Sequence, residues 1–245
     1  MIARPTAHAG GPYDAASLPR LQMSFRAVGE PVREPASKFG GQPVWLEEPM
    51  WPVHPDTGKP LVFVGQFRVP GDEVRLAYLF LHEEDRDMAS EPETGDAVVI
   101  IQPEGRVPSF AVVGPPGTQG RSLWRWGADE TEIPVEWLVD LSPVPGDLDA
   151  EADRHAEWAR FMRGEGPEVD FPEGDGPADF LGGTAIYPNL RARGVDRPWQ
   201  FLCQFEDRGE EADLGDPFFL NFGYGSGFIF VSPDRREGRF FSDCS

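Results

Sequence analysis

Cysteine is nearly absent. Cys203 sits inside an apolar run and Cys244 one place before the last residue, with no C-x-x-C and no histidine beside either. That excludes a disulfide framework and a thiolate metal site, and it fits a reducing compartment. Cationic side chains are also scarce, 22 Lys+Arg against 42 Asp+Glu, for a formal charge of −20. A field of that sign repels phosphate backbones and anionic bilayers, so neither nucleic acid nor a membrane surface is an expected partner. No apolar run approaches the roughly 20 residues that span a bilayer, and Met1 to Arg20 lacks the continuous apolar core of a signal peptide, so the expected localisation is cytoplasmic.

What is present is a chain of 245 residues, 40% hydrophobic and 12% aromatic, which places it among globular domains rather than disordered chains. Its 28 glycines and 26 prolines punctuate short elements and favour strands and loops over long helices. Residues 1–20 have no hydrophobic period and read as a flexible arm. Alternation at Leu21, Met23, Phe25 and Ala27 predicts a first strand from Leu21 to Val32. Further strands are expected over Leu61 to Phe67, Leu76 to Leu81, Ala97 to Gln102 and Phe110 to Val113, with a turn at Pro70-Gly71. One helix is predicted from about Asp147 to Arg163, with acidic residues in its first turn, Arg160 and Arg163 in its last, and Gly164 as its stop.

An internal pattern recurs. Leu181-Gly182-Gly183 through Tyr187 matches Phe39-Gly40-Gly41 through Trp45; Pro198 to Phe205 matches Pro60 to Phe67, with Pro, Gln and Phe in register; and Gly227 to Val231 parallels Ala77 to Leu81. The expectation is therefore an α+β but β-rich fold with few helices: two antiparallel sheet units related by internal duplication. The halves would be 21–164, carrying the helix, and 180–245, joined by an acidic linker at 165–179 into one compact domain. Ser37-Lys38-Phe39-Gly40-Gly41-Gln42-Pro43, Trp51-Pro52, Thr57-Gly58-Lys59-Pro60, Gly65-Gln66-Phe67 and Gly225 to Phe230 together resemble the YwqG-like family of bacterial proteins, a domain of unknown function. The resemblance runs from roughly residue 37 to the end. It implies an α+β, largely antiparallel fold with an internal repeat, and it brings no catalytic residue with it.

Motifs of catalysis fail on inspection. Gly114 to Ser122 follows a strand like a phosphate-binding loop, but Gly114 to Gly120 is one step too long and Arg121 stands where lysine belongs. Gly223-Tyr224-Gly225-Ser226-Gly227 places tyrosine where a nucleophile elbow needs glycine, and its glycines are better suited to a turn or bulge before a strand. His82-Glu83-Glu84-Asp85 with Asp87, and His54 with Asp56, offer metal ligands at spacings that do not converge on one ion. No catalytic residue, metal or cofactor is expected.

Gln66 and Gln204, each inside an apolar strand, must have their amides satisfied. They could tie the halves together, or they could line a cleft between the halves with Trp45, Trp51, Tyr187 and Trp199 as aromatic walls. The acidic run with Glu206, Asp207, Glu210 and Glu211 looks inserted between matched strands, where a binding function can be added without disturbing a core. The stretches Glu83 to Asp96, Glu165 to Asp179 and Glu206 to Asp216 should all be exposed loops. Three readings follow. One is a non-catalytic, immunity-like protein that neutralises a basic protein partner. Another is a small-molecule or carbohydrate-binding protein, or a hydrolase, that uses the aromatic cleft. A purely structural interaction module is the third reading.

Overall fold

The computed structural model describes residues 19–84, 87–88, 93–127, 131–143, 179–183, 185–186, 199–208, 217–222 and 225–244, with isolated positions between 157 and 168. Ten strands form one antiparallel sheet: β1 (Leu21–Ala27), β2 (Lys38–Gly40), β4 (Val62–Arg68), β5 (Leu76–Leu81), β8 (Ala97–Gln102), β12 (Glu136–Pro143), β13 (Phe180–Leu181), β14 (Gln200–Glu206), β15 (Gly225–Val231) and β16 (Gly238–Cys244). Three small pairs accompany it: β3 (Pro52–Val53) with β9 (Val112–Val113), β6 (Glu83–Glu84) with β7 (Asp87–Met88), and β10 (Trp124–Trp126) with β11 (Glu132–Pro134). The order across the large sheet is β16-β15-β14-β13-β1-β12-β2-β4-β5-β8.

This overturns the expectation of an α+β fold with two separate sheet units. The described residues are nearly all β, and the ladder runs without a break from one half to the other. The cause is β1 and β12. They pair along their length, from Leu21 opposite Pro143 to Ala27 opposite Trp137, and each then joins the far set: β1 lies beside β13, and β12 beside β2. The helix expected over 147–163 lies almost wholly outside the described residues.

The strand sets flanking this central pair share a register. Phe39 faces Gly65 as Leu181 faces Cys203. A bulge falls between Phe63 and Gly65 in β4 and between Phe201 and Cys203 in β14. Gln66 faces Tyr78 where Gln204 faces Phe228, and the outer ladders close at Leu81 with Ala97 and at Val231 with Gly238. Gly40 ends β2 and Gly182 follows β13, at φ 70° and 77°, a left-handed backbone that suits glycine. A Cβ at Gly40 would also lie 2.2 Å from the Val135 carbonyl oxygen.

The sheet curls until its edge strands β8 and β16 meet, nearly closing a barrel. Gly238 sits so close to Val99 that a Cβ there would fall 2.2 Å from its Cγ1. The Arg106 N–H donates to the Arg236 carbonyl at 2.6 Å, and Arg239 is held between the rings of Phe110 and Trp199, 4.8 and 4.3 Å from their centroids. Closure of this kind removes exposed strand edges. Inside lies the main core, from Val64, Phe67, Leu79 and Val99 through to Phe205, Ile229 and Phe240. Outside, the first set is covered by Trp45, Leu46, Met50 and Phe110, and the second by Ile186 and Trp199. β5 is buried on both faces, which explains its unbroken apolar run.

Two smaller expectations also change. Ser226 lies within β15 rather than in a turn before it, and Gly227 beside it leaves room for the rings of Phe205 and Phe240. The acidic stretches are not uniformly free in solvent. The Glu83 side chain is mostly buried and pairs with Arg121, Asp179 pairs with Arg208, and the Asp207 carboxylate accepts the Phe222 N–H. These carboxylates are tolerated away from water because each has a partner.

Candidate binding cleft

An open cleft of about 370 Å³ lies on the outer face of the first strand set. One wall is the segment 42–51 that follows the glycine pair, and the other is the loop 116–119. Both walls hang from the short β3–β9 ladder, in which Pro52 faces Val113, and the Gly114 N–H donates to the Trp51 carbonyl at 2.9 Å. The second wall is the Pro-Gly stretch that superficially matches a phosphate loop. It turns on Thr118, whose N–H and hydroxyl both reach the Pro115 carbonyl, at 3.0 and 2.7 Å.

The first wall is held by buried polar side chains of the sheet beneath it. Gln66 is fully buried; its Oε1 accepts the Val44 N–H at 2.8 Å and its Nε2 donates to the Ala36 carbonyl at 2.8 Å. The Tyr78 hydroxyl donates to the Val44 carbonyl at 2.8 Å and accepts the Leu46 N–H at 3.2 Å, and burial pushes its phenol well above the ordinary tyrosine range. The Gln102 Oε1 accepts the N–H groups of Leu46 and Glu47 at 3.0 and 3.1 Å, while its Nε2 donates to the Glu48 carbonyl at 2.8 Å. A loop tied down this way costs little ordering entropy when a ligand arrives.

Trp45 and Trp51 form the aromatic floor. Trp51 is 3% exposed, and its indole N–H is taken up by the Leu61 carbonyl at 2.8 Å. Trp45 is half-buried against Tyr78 and Phe80, with ring centroids at 4.8 and 6.0 Å, so part of its surface remains open to the cleft. Pro43, Pro49 and Pro116 extend the apolar lining, while Gln42, Glu48, Thr118 and Gln119 bring hydrogen-bonding groups to the rim. Among the described residues that line it, Glu48 is the one carboxylate.

The anticipated cleft between the halves is not what brings these residues together. Trp45, Trp51 and Gln66 gather on one strand set, whereas Trp199 and Gln204 belong to the other; Trp199 packs on Arg239. Gln204 repeats the local role of Gln66, its Oε1 accepting the Ile186 N–H at 2.9 Å, so each glutamine binds the loop of its own set instead of joining the two. Glu206 is exposed and Asp207 serves the backbone at Phe222. Tyr187, Glu210 and Glu211 lie outside the described residues. Sequence reasoning missed Tyr78 and Gln102 as supports of the wall, although both carry the signal that singled out Gln66: a polar group inside an apolar strand.

His54 and His82, assigned above to separate ligand pairs, are brought together with Asp96. Among the described residues, no helix is long and apolar enough to cross a membrane. No protein-family model, curated protein or solved structure matches this chain.

Proposed function

We propose that this chain is a non-catalytic binding protein whose ligand is a small polar molecule with an apolar face, of the carbohydrate type, seated in the cleft on the Trp45 indole. The observation that carries the reading is the lining: a half-open indole, fixed from below, ringed by amide, hydroxyl and carboxylate groups. Sugars present C–H faces that stack on aromatic rings and hydroxyls that need such partners. A hydrolase is disfavoured because glycoside hydrolysis uses two carboxylates across the scissile bond. The test is titration of tryptophan fluorescence with a panel of neutral oligosaccharides. Trp45→Ala should weaken the binding ligand about tenfold, the scale of one aromatic stack. A panel that produces no saturable change would sink the carbohydrate reading.

A second reading, a basic protein partner in a reducing cytoplasm, rests on the charge. With a formal charge of −20, carboxylates would remain unmatched even if every cation were paired. Glu206, Glu210 and Glu211 are the residues to neutralise; Asp207 is left intact because its carboxylate holds the Phe222 N–H. Converting the three to glutamine should slow association with a polyarginine probe and flatten its salt dependence more than converting the exposed Glu30, Glu34 and Asp72. Equal effects from the two sets would leave only net charge.

The shared register, matched bulges and matched glutamine–loop bonds support an internal duplication of the kind implied by the YwqG-like resemblance. In that history β1 and β12 are equivalent strands that exchanged places between the two copies.

A further inference from the structure

The geometry points to a divalent transition-metal site of the zinc class formed by His54, His82 and Asp96, at the base of the arm that carries β6 and β7. The three residues are far apart in sequence and meet for topological reasons. His82 directly follows β5 and Asp96 directly precedes β8, one step beyond the last ladder pair, and the His82 N–H donates to the Asp96 carbonyl at 2.6 Å. His54 is delivered by the turn after β3, closed by its own N–H to the Lys59 carbonyl and by the Gly58 N–H to its carbonyl, both at 2.8 Å.

The side chains converge. The His54 and His82 rings lie 4.2 Å apart, the His54 Nε2 is 2.9 Å from the Asp96 Oδ1, and one ligand atom from each residue falls within 4.8 Å of the other two. All three are partly buried, so they are shielded without being sealed from solvent. Asp96 has the outer partner of a metal ligand: the Thr94 hydroxyl donates to its Oδ2 at 2.7 Å, leaving Oδ1 for the ion. The Thr57 N–H reaches the His54 Nδ1 at 3.3 Å, so without metal that neutral imidazole carries its proton on Nε2, toward Asp96.

Zinc at about 2.0–2.1 Å from nitrogen and oxygen ligands sets tetrahedral neighbours about 3.3 Å apart, so the His54 Nε2 and Asp96 Oδ1, at 2.9 Å, need open only slightly, and all three ligand atoms already lie within 4.8 Å of one another. When the cation takes the His54 Nε2, the proton there passes through solvent to Nδ1, the imidazole stays neutral, and the long Thr57 contact gives way. Two imidazoles and one carboxylate select zinc-class ions over magnesium or calcium, which prefer oxygen alone. Three protein ligands leave the fourth position to a water molecule, the arrangement of exchangeable sites rather than closed structural ones. The net acidic field of the chain favours arrival of a cation.

The full chain, stripped with a chelator, is titrated with Zn²⁺ calorimetrically and with Co²⁺ by visible absorption. One equivalent should bind, excess Mg²⁺ should not compete, and the Co²⁺ spectrum should lack a thiolate charge-transfer band. His82→Ala and Asp96→Asn should each cost more than the roughly 10–100-fold that loss of an outer partner costs, and Thr94→Ala should fall within that range. His8→Ala and His155→Ala should change nothing. Absence of stoichiometric binding, a thiolate band, or binding that survives both ligand substitutions would each overturn the assignment. If a ligand variant fails to fold, the wild-type stoichiometry and Co²⁺ spectrum decide alone. Oligosaccharide titration of the metal-free chain separates this result from that of the cleft.

Discussion

Phe39→Ala is expected to destabilise the fold by about 3–5 kcal/mol, the cost of truncating a fully packed aromatic side chain. Phe39 sits in the short strand β2 with no exposed surface, and its ring meets four others. It stacks on Phe218 with centroids 4.7 Å apart and takes edge contacts with Phe25, Phe67 and Phe205 at 5.4, 5.2 and 5.3 Å. Those partners come from β1, β4, β14 and the segment 217–222, so one ring joins the centre of the sheet to strands from both sets. Neighbouring strands in the ladder cannot move in to fill the space, because their register is fixed on both sides of β2. Chemical unfolding in urea should show a lower midpoint with an unchanged slope, and Phe39→Leu should recover part of the loss. A Phe39→Ala cost below about 1 kcal/mol would mean that the barrel interior is not the single core described here.

The strands around Phe39 show how far the sequence could be followed. β5 and β8 occupy the predicted spans because unbroken apolar runs bounded by turn residues leave little choice. The matched Gly-Gly, Pro and Gln-x positions led to strand sets whose registers agree. β12 was not anticipated. Its Glu-Trp-Leu-Val-Asp-Leu sequence has one half-buried stretch and one exposed, so no face stands out, yet it is the strand that fuses the two sets into one sheet. β16 escaped for a related reason: Phe240 points into the barrel and Phe241 out of it, and two adjacent aromatics with opposite duties show no period. Local pattern reports that a segment is extended. It does not report which edge the segment will join, and that choice separated one curled sheet from two units.

The candidate sites divide along the same line. Trp45, Trp51 and Gln66 were legible because each is chemically conspicuous within its own segment. Their grouping with the loop 116–119, and the meeting of His54, His82 and Asp96, depend on contacts between distant segments that spacing cannot express. Gln66 and Gln204 were correctly read as amides in need of partners, but the partners are loop backbones in their own sets, which a pair spanning the two halves would not supply.

Lys38→Ala should cost as much as Phe39→Ala for a different reason. Lys38 is fully buried, yet its ammonium donates to the Gln42 carbonyl at 2.6 Å and to the Glu136 carboxylate, which also accepts the Val32 N–H at 3.2 Å. Removing the cation strands a largely buried carboxylate, a loss of about 3–5 kcal/mol, whereas replacing both partners with neutral residues of similar shape is nearly free. Lys38→Met combined with Glu136→Gln should therefore be more stable than Lys38→Ala alone. The pH dependence separates this charge effect from simple loss of packing. Burial outweighs the Glu136 carboxylate and lowers the Lys38 pKa from its ordinary value. Between that lowered value and the unfolded value of about 10.4, the unfolded chain holds the proton more firmly, so this group makes stability rise with pH through that window. The rise should disappear in the Lys38→Met, Glu136→Gln variant, measured as the difference in urea midpoints across the alkaline range. An identical slope in wild type and variant would show that the Lys38 pKa is not lowered in the fold, its partners then offsetting the whole cost of burial.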